Sequence, residues 1–250
     1  MSAPLRGQRV WVVGASSGIG AELANELVRR GASVAISGRR ASELEAVSGG
    51  RMLSVPLDVT DADAAVAAAD AVRDGLGGLD MVIHSAGYWK QFDAASWDRE
   101  VFARHVEVNL LGLNNVLAAV VPGFVAQGRG HVVGIASVAG YRGIAGSEAY
   151  GATKAAQLNL LEAMRASLPP HGVRVTTVAP GFVRTEMTSV NEFPMPFLID
   201  VDEAGRAIAD GLERGDDTIV FPKRMAVAMG VARLVPGRLW TRLTSRGGRA

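Results

Sequence analysis

Short apolar runs alternate with longer segments of helical periodicity along the whole chain. The runs at 9–13, 33–37, 52–55, 80–84, 131–136, 173–179 and 218–221 are rich in Val and Ile and predict strands. Several of them, VWVV, MVI and VVGI among them, are apolar at nearly every position. Strands covered on both faces look like that, which predicts a parallel sheet. Between them, 18–30, 41–47, 62–75, 102–127, 151–167 and 202–214 carry Ala- and Leu-rich helical patterns. Gly31, Gly128 and Gly215 stand where those helices should end, because glycine tolerates a left-handed cap. Repeated strand–helix alternation predicts right-handed βαβ units in an α/β fold, a doubly wound sheet of about seven parallel strands flanked by helices. No linker-like segment, repeat or low-complexity block interrupts 1–222, so a single domain is expected there.

Composition narrows the chemistry. The chain has 250 residues, 48% hydrophobic and 20% charged, as a compact globular protein does. A net charge of +1 gives no overall field for nucleic acid, and no nucleic-acid partner is expected. The absence of cysteine excludes disulfides, thiolate catalysis and cysteine-held metals. The four histidines, His84, His105, His131 and His171, show no metal-ligand spacing, so no metal site is expected. No secretory signal is visible at the start, and the longest uncharged apolar candidate, 225–232, is too short to span a bilayer. A cytoplasmic location is the expectation. The charge is uneven, however: 223–250 holds seven basic residues and no acidic one, leaving 19 basic and 25 acidic, a net of −6, on the remainder. In this tail Arg238, Arg242 and Arg246 repeat every four residues, with Leu239 and Leu243 on an adjacent stripe beside Trp240; Arg249 follows. Such a basic amphipathic segment suits peripheral contact with an anionic membrane, folding back onto an acidic surface, or fraying in solvent.

The first strand runs directly into Gly14-Ala-Ser-Ser-Gly18-Ile-Gly20 and then into a helical pattern. A glycine-rich turn there lets backbone N–H groups approach a pyrophosphate, and the helix dipole favours its charge. The second strand ends in Ser37-Gly38-Arg39-Arg40, where an NAD-binding chain would carry an acid for the ribose 2′-hydroxyl. Gly38 offers none, while Arg39 and Arg40 suit a 2′-phosphate, so NADP(H) is expected over NAD(H), which remains possible. The alternative, two solvated arginines opening a surface helix, stays open. Further on, Tyr150 and Lys154 lie four residues apart, on one face of a helix, and Ser137 follows the strand at 131–136.

Together these motifs resemble the short-chain dehydrogenase/reductase family, in its common branch of about 250 residues with a Rossmann-type fold. The resemblance spans about 9–221 and rests on Gly14, Gly18 and Gly20, Asp58-Val59, Ala86-Gly87, Asn109, Ser137, Tyr150-x-x-x-Lys154 and Pro180-Gly181. It implies an oxidoreductase that interconverts a carbonyl and an alcohol by hydride transfer. Tyr150 would be the general acid/base, its pKa lowered by Lys154 and the oxidised nicotinamide. Ser137 would hold the carbonyl oxygen, and Asn109 a water linking Lys154 to solvent. The cofactor would contact Gly14, Ser16, Ser17, Gly18, Ile19, Gly20, Arg39, Arg40, Asp58, Val59, Ser85, Ala86 and Gly87. Tyr150, Lys154, Pro180, Gly181, Val183 and Thr185 would complete that site. Asp58 alone reads equally as a helix N-cap signal, since Asp61 follows closely. Two positions depart from the family pattern, Val13 before the first glycine and Ser85 in place of an asparagine. His84, ending an apolar strand, reads as a hydrogen-bonded structural residue.

Substrate residues carry no shared motif. By position Trp89, Tyr141, Met187, Phe193 and Phe197 are candidates, with 186–200 as a lid over an apolar ketone or alcohol, or as plain packing. The resemblance also implies a homodimer or homotetramer. Two other readings compete: a nucleotide-binding regulatory protein that has lost turnover, and an NAD-dependent alcohol dehydrogenase. A nucleotide-sugar epimerase is disfavoured by the short chain after Thr185.

Overall fold

The computed structural model describes residues 4–244. Seven strands form one sheet: β1 Arg9–Val13, β2 Ser33–Ser37, β3 Leu53–Ser54, β4 Met81–His84, β5 Gly130–Ile135, β6 Val173–Pro180 and β7 Thr218–Phe221. Their order is β3-β2-β1-β4-β5-β6-β7, and every pairing is parallel. The helices are α1 Gly18–Arg29, α2 Ala41–Ser48, α3 Ala62–Leu76, α4 Arg99–His105, α5 Gly112–Ala126, α6 Glu148–Ser167, α7 Val201–Arg214, α8 Lys223–Leu234 and α9 Gly237–Thr244.

Strand side chains alternate between faces, and here both faces are apolar. Val10 and Val12 pack with Leu23 and Leu27 of α1 and Ile208 and Leu212 of α7. Trp11 and Val13 face the other layer, with Val116, Val120 and Phe124 of α5 and Leu161 of α6. Each such side chain contributes about 1.5–3 kcal/mol by leaving water. The chain runs outward from β1 through β2 to β3, then α3 returns it to β4 on the opposite flank of β1. That reversal opens a crevice at the C-terminal ends of β1 and β4, where ligands bind in sheets of this kind.

Helix starts follow local chemistry. Asp61 caps α3 by accepting from the Ala64 amide (2.9 Å), so Asp58 is not that cap. Asp98 accepts from the amides of Glu100 and Val101 and starts α4 at Arg99, three residues before the predicted helix start. The stretch predicted as one helix is continuous but uneven: a π turn, Val106–Leu111, separates α4 from α5. Periodicity of 3.6 does not reveal such a turn. This whole stretch, Arg99–Ala126, has 28 residues and a mean hydropathy of 1.6, long and apolar enough to cross a membrane by length and composition. It corrects the expectation that 225–232 is the longest apolar candidate, because its charges cluster near the start and leave the rest apolar. Its Leu113, Val116, Val120 and Phe124 are buried in the core, as in the core helix of a folded domain.

The described part of the tail, 223–244, forms two helices. Met225, Met229 and Ala232 of α8 pack beside Val138 and Ala179. Trp240 of α9 donates to the Gly143 carbonyl (2.7 Å), and the Arg142 guanidinium lies 5.2 Å from its ring. The tail thus folds back onto an aromatic and basic surface rather than an acidic one. Arg238, Arg242, Leu239 and Leu243 are exposed. The expectations for Arg246 and Arg249 lie outside the described residues.

Candidate active site

The crevice is a cleft of about 550 Å³. Every residue assigned above to the cofactor lines it, together with Ser137, Trp89 and Met187. Gly14 closes the first turn with φ +86°, and a Cβ there would meet the Ala86 amide nitrogen at 2.3 Å. A Cβ on Gly20 would strike the Gly14 carbonyl oxygen at 2.2 Å. The loop therefore packs this closely onto the end of β4 only with glycine at both places. Ser85 extends the β1–β4 ladder by donating its amide to the Val13 carbonyl (2.7 Å), so the Ser for Asn exchange leaves the strands in register.

Helix α1 begins at this loop with neither a side-chain cap nor an acidic residue in its first turn. Its first amides have no intrahelical acceptor and Gly18, Ile19 and Gly20 line the cleft, an arrangement suited to a diphosphate. Burial pushes the Asp58 carboxyl up, but hydrogen bonds from Thr60 and the charges of Arg39 and Arg104 outweigh it and hold it below its ordinary value. At the rim, Arg40 bonds Ser17 (3.0 Å) and pairs with Glu43 (2.8 Å) and Glu186 (3.2 Å). Arg39 is exposed and makes no ion pair among the described residues.

Ser137, Tyr150 and Lys154 meet at the inner end of the cleft. Ser137 lies two residues past β5 and accepts from the Ala139 amide (3.1 Å). Tyr150, in the first turn of α6, opens onto the cleft beside Ser137. Burial pushes that phenol up to about 12, and the nearby Ser137 hydroxyl only partly offsets it. The protein alone thus moves Tyr150 opposite to the expected lowering. Lys154 lies below, its Nζ 5.5 Å from the Tyr150 ring centre, and burial pushes its ammonium down to about 7. Its Nζ donates to the Ile135 carbonyl (2.9 Å) and to Gln157 Oε1 (2.9 Å).

Asn109, in the π turn, sits behind the cleft rather than lining it. Its amide accepts from the Tyr88 amide (2.6 Å) and donates to the Tyr88 carbonyl (3.1 Å) and Thr153 (3.0 Å). Its own carbonyl accepts from Gln157, whose Oε1 accepts from Lys154, so a side chain bridges Asn109 to Lys154. Gln157 was missed. The available signal was a polar residue one helical turn after Lys154 on a face that must be buried.

The substrate candidates divide. Trp89 meets Tyr150 edge-on, ring centres 5.2 Å apart, and its Nε1 donates to Asn191 (2.9 Å). Met187 lines the cleft, as do Val190 and Thr188, which were not singled out. Tyr141, Phe193 and Phe197 do not line it. Tyr141 packs beneath Arg233, 5.0 Å from ring centre to guanidinium, in the cluster formed by α8. Phe193 packs on Phe182 at 6.1 Å, and Phe197 is exposed. Apolar character alone did not separate packing from lining. His84 is buried, but neither ring nitrogen has a hydrogen-bond partner among the described residues, against expectation. Burial, then the charge of Lys154, pushes it down to about 3.

A family model described as short chain dehydrogenase matches residues 8–193. An uncharacterized oxidoreductase of Myxococcus xanthus is 40% identical over 235 residues, covering 92% of this chain and 93% of that protein. A gluconate 5-dehydrogenase of Gluconobacter oxydans is 34% identical, covering 74% of each chain. Among solved structures, a short chain dehydrogenase from Burkholderia cenocepacia in complex with NADP is 30% identical with a TM-score of 0.83, covering 99% of this chain and all of that one.

Proposed function

This chain belongs to the short-chain dehydrogenase/reductase family, NAD(P)-dependent oxidoreductases; from that premise we propose that it interconverts a carbonyl compound and an alcohol using NADP(H), with Tyr150 as general acid/base. The observation that carries this reading is the convergence of Ser137, Tyr150 and Lys154 at the inner end of a cleft whose outer part suits a dinucleotide. Bound NADPH supplies the hydride. Ser137 holds the carbonyl oxygen and stabilises the charge that develops on it. Tyr150 passes its proton to that oxygen, and a phenol held near 12 is fully protonated at neutral pH, which favours reduction. Lys154, half-charged near pH 7, supplies the positive charge that opposes burial once Tyr150 becomes phenolate.

NADP(H) is favoured over NAD(H) because Arg39, exposed and with no ion pair among the described residues, stands at the rim beside Gly38, a position without an acid for the ribose. Trp89, Met187 and Val190 around Tyr150 favour an apolar ketone or secondary alcohol. Family members often form oligomers; a dimer or tetramer would use the outward faces of α5 and α6, where Leu111 and Val125 are exposed nearby.

The test is fluorescence titration with NADPH and NADH of wild type and Arg39→Ala. A charge-assisted contact of about 1.5–3 kcal/mol predicts that Arg39→Ala weakens NADPH by roughly 10- to 100-fold and leaves NADH unchanged. Equal loss for both, or tighter NADH binding by wild type, would sink the 2′-phosphate assignment.

A further inference from the structure

Behind Tyr150 lies a run of polar contacts that the proposed chemistry does not by itself require. Thr153 donates to the Tyr150 carbonyl (2.8 Å) and accepts from Asn109 (3.0 Å). The Asn109 carbonyl accepts from Gln157, and Gln157 accepts from Lys154 (2.9 Å). These contacts tie α6 to the π turn. Gln157 is 1% exposed and Lys154 4%, so neither exchanges these partners for bulk water at low cost. The orientation of the Gln157 amide is fixed by chemistry. Turned over, its NH2 would face an ammonium and its oxygen a carbonyl, both repulsive.

We propose that Gln157 is a positioning residue: its amide, anchored on the Asn109 carbonyl, aims the Lys154 ammonium at Tyr150 and the cleft and sets how strongly Lys154 holds its charge. The inference rests on the Tyr150–Lys154 reading above but concerns a residue that touches neither substrate nor cofactor. With the Ile135 carbonyl and Gln157 occupying two N–H groups, Lys154 keeps one, and Nζ lies 4.0 Å from where a Cβ on Gly87 would stand, at the cleft wall. The other groups that bear on Lys154 are the Tyr150 ring on its own helix, Asn109 of the π turn and His84 of β4, which stays neutral. None of these is an anion. Gln157 Oε1 is therefore the one side-chain oxygen among the described residues that holds the charged form directly, and its loss should release the proton more readily.

The chain has only three lysines, Lys90, Lys154 and Lys223, so 13C-lysine labelling gives a spectrum in which Lys154 is identified by its loss in Lys154→Met. The titration is followed by NMR in the free protein, for wild type, Gln157→Met and Gln157→Glu. The Met variant keeps length and volume and should lower the Lys154 midpoint by about one pH unit or more, while the Glu variant should raise it by at least as much. The alkaline limb of kcat for NADPH-driven carbonyl reduction should move in the same directions, with KM for NADPH changing less than about threefold. A Lys154 midpoint within about 0.3 unit of wild type in both variants overturns the proposal, and the Glu variant alone decides it should the Met variant not fold. If the midpoint shifts as expected but the rate profile stays fixed, the positioning role stands and the Tyr150–Lys154 chemistry fails instead.

Discussion

Replacing Lys154 with methionine should raise stability at neutral pH while removing activity. Lys154 is buried, and its ammonium is pushed down from 10.5 to about 7. The unfolded chain holds that proton up to about 10.5, whereas the folded protein releases it near 7. Between those limits the unfolded state binds about one more proton, so stability rises with pH by about 1.4 kcal/mol per unit. At pH 7 the burial of this ammonium then costs on the order of 4 kcal/mol, and at pH 9 about 2 kcal/mol. Methionine fills the same space without charge, but it leaves the Ile135 carbonyl and Gln157 Oε1 short of a donor, at about 1–3 kcal/mol. The variant should therefore be more stable by about 1–3 kcal/mol at pH 7, a rise of several degrees in Tm for a chain of this size. That advantage should shrink by about 2 kcal/mol by pH 9, where the two proteins become similar. Urea unfolding of both at half-unit steps from pH 7 to 9 measures the difference, and all other titrating groups cancel in it. A difference that stays constant across that range would refute the reasoning, because Lys154 would then titrate alike in both states.

Acid should act through the buried histidines. His84 and His131 are each pushed down to about 3, first by burial and then by Lys154 and Arg174 respectively. Both stay neutral in the folded state, so their contribution is complete above about 6.5. For this pair it falls by roughly 2.7 kcal/mol per unit below that; His105 and the lowered carboxylates add their own slope, so urea unfolding at pH 4–6 should show a slope about 1.4 kcal/mol per unit shallower for His84→Met than for wild type. Separately, Glu186 draws Arg40 across the rim at 3.2 Å, with the carboxylate largely exposed. Glu186→Gln should remove one of the two carboxylates that hold that guanidinium, leaving Glu43, and tighten NADPH by up to about fivefold, in line with the small worth of exposed pairs, with NADH unaffected in the same titration.

The fold was legible because its signals are local and repeated. Apolar runs such as VWVV, short and bounded by turn residues, read as strands with both faces covered, and the glycines at 14 and 20 mark where backbone must approach backbone. The cleft was legible for the same reason: its parts sit at strand ends, whose positions follow from the strands. What escaped was non-local. Nothing in periodicity shows that 106–111 takes a π turn, yet that turn sends the Asn109 carbonyl to Gln157. Tyr141 resembled a pocket residue until α8 was seen to cover it, and Phe193 finds Phe182 rather than the cleft. Aromatic content predicts burial but not which cavity is filled, because that depends on segments distant in sequence. His84 was expected to find a partner, and among the described residues its ring nitrogens have none and the ring stays neutral.

The measurement that tests the central claim most directly is the rate of NADPH oxidation with a panel of apolar ketones, for wild type and Tyr150→Phe, beside NADPH titration of both. The phenyl ring keeps the edge contact with Trp89 at 5.2 Å while removing the proton donor. The account predicts turnover by wild type, a loss of roughly 10²- to 10⁴-fold in the variant, and NADPH affinity within about threefold. Turnover retained within tenfold would contradict Tyr150 as the acid. NADPH bound tightly by wild type with no ketone reduced would favour a regulatory nucleotide-binding protein.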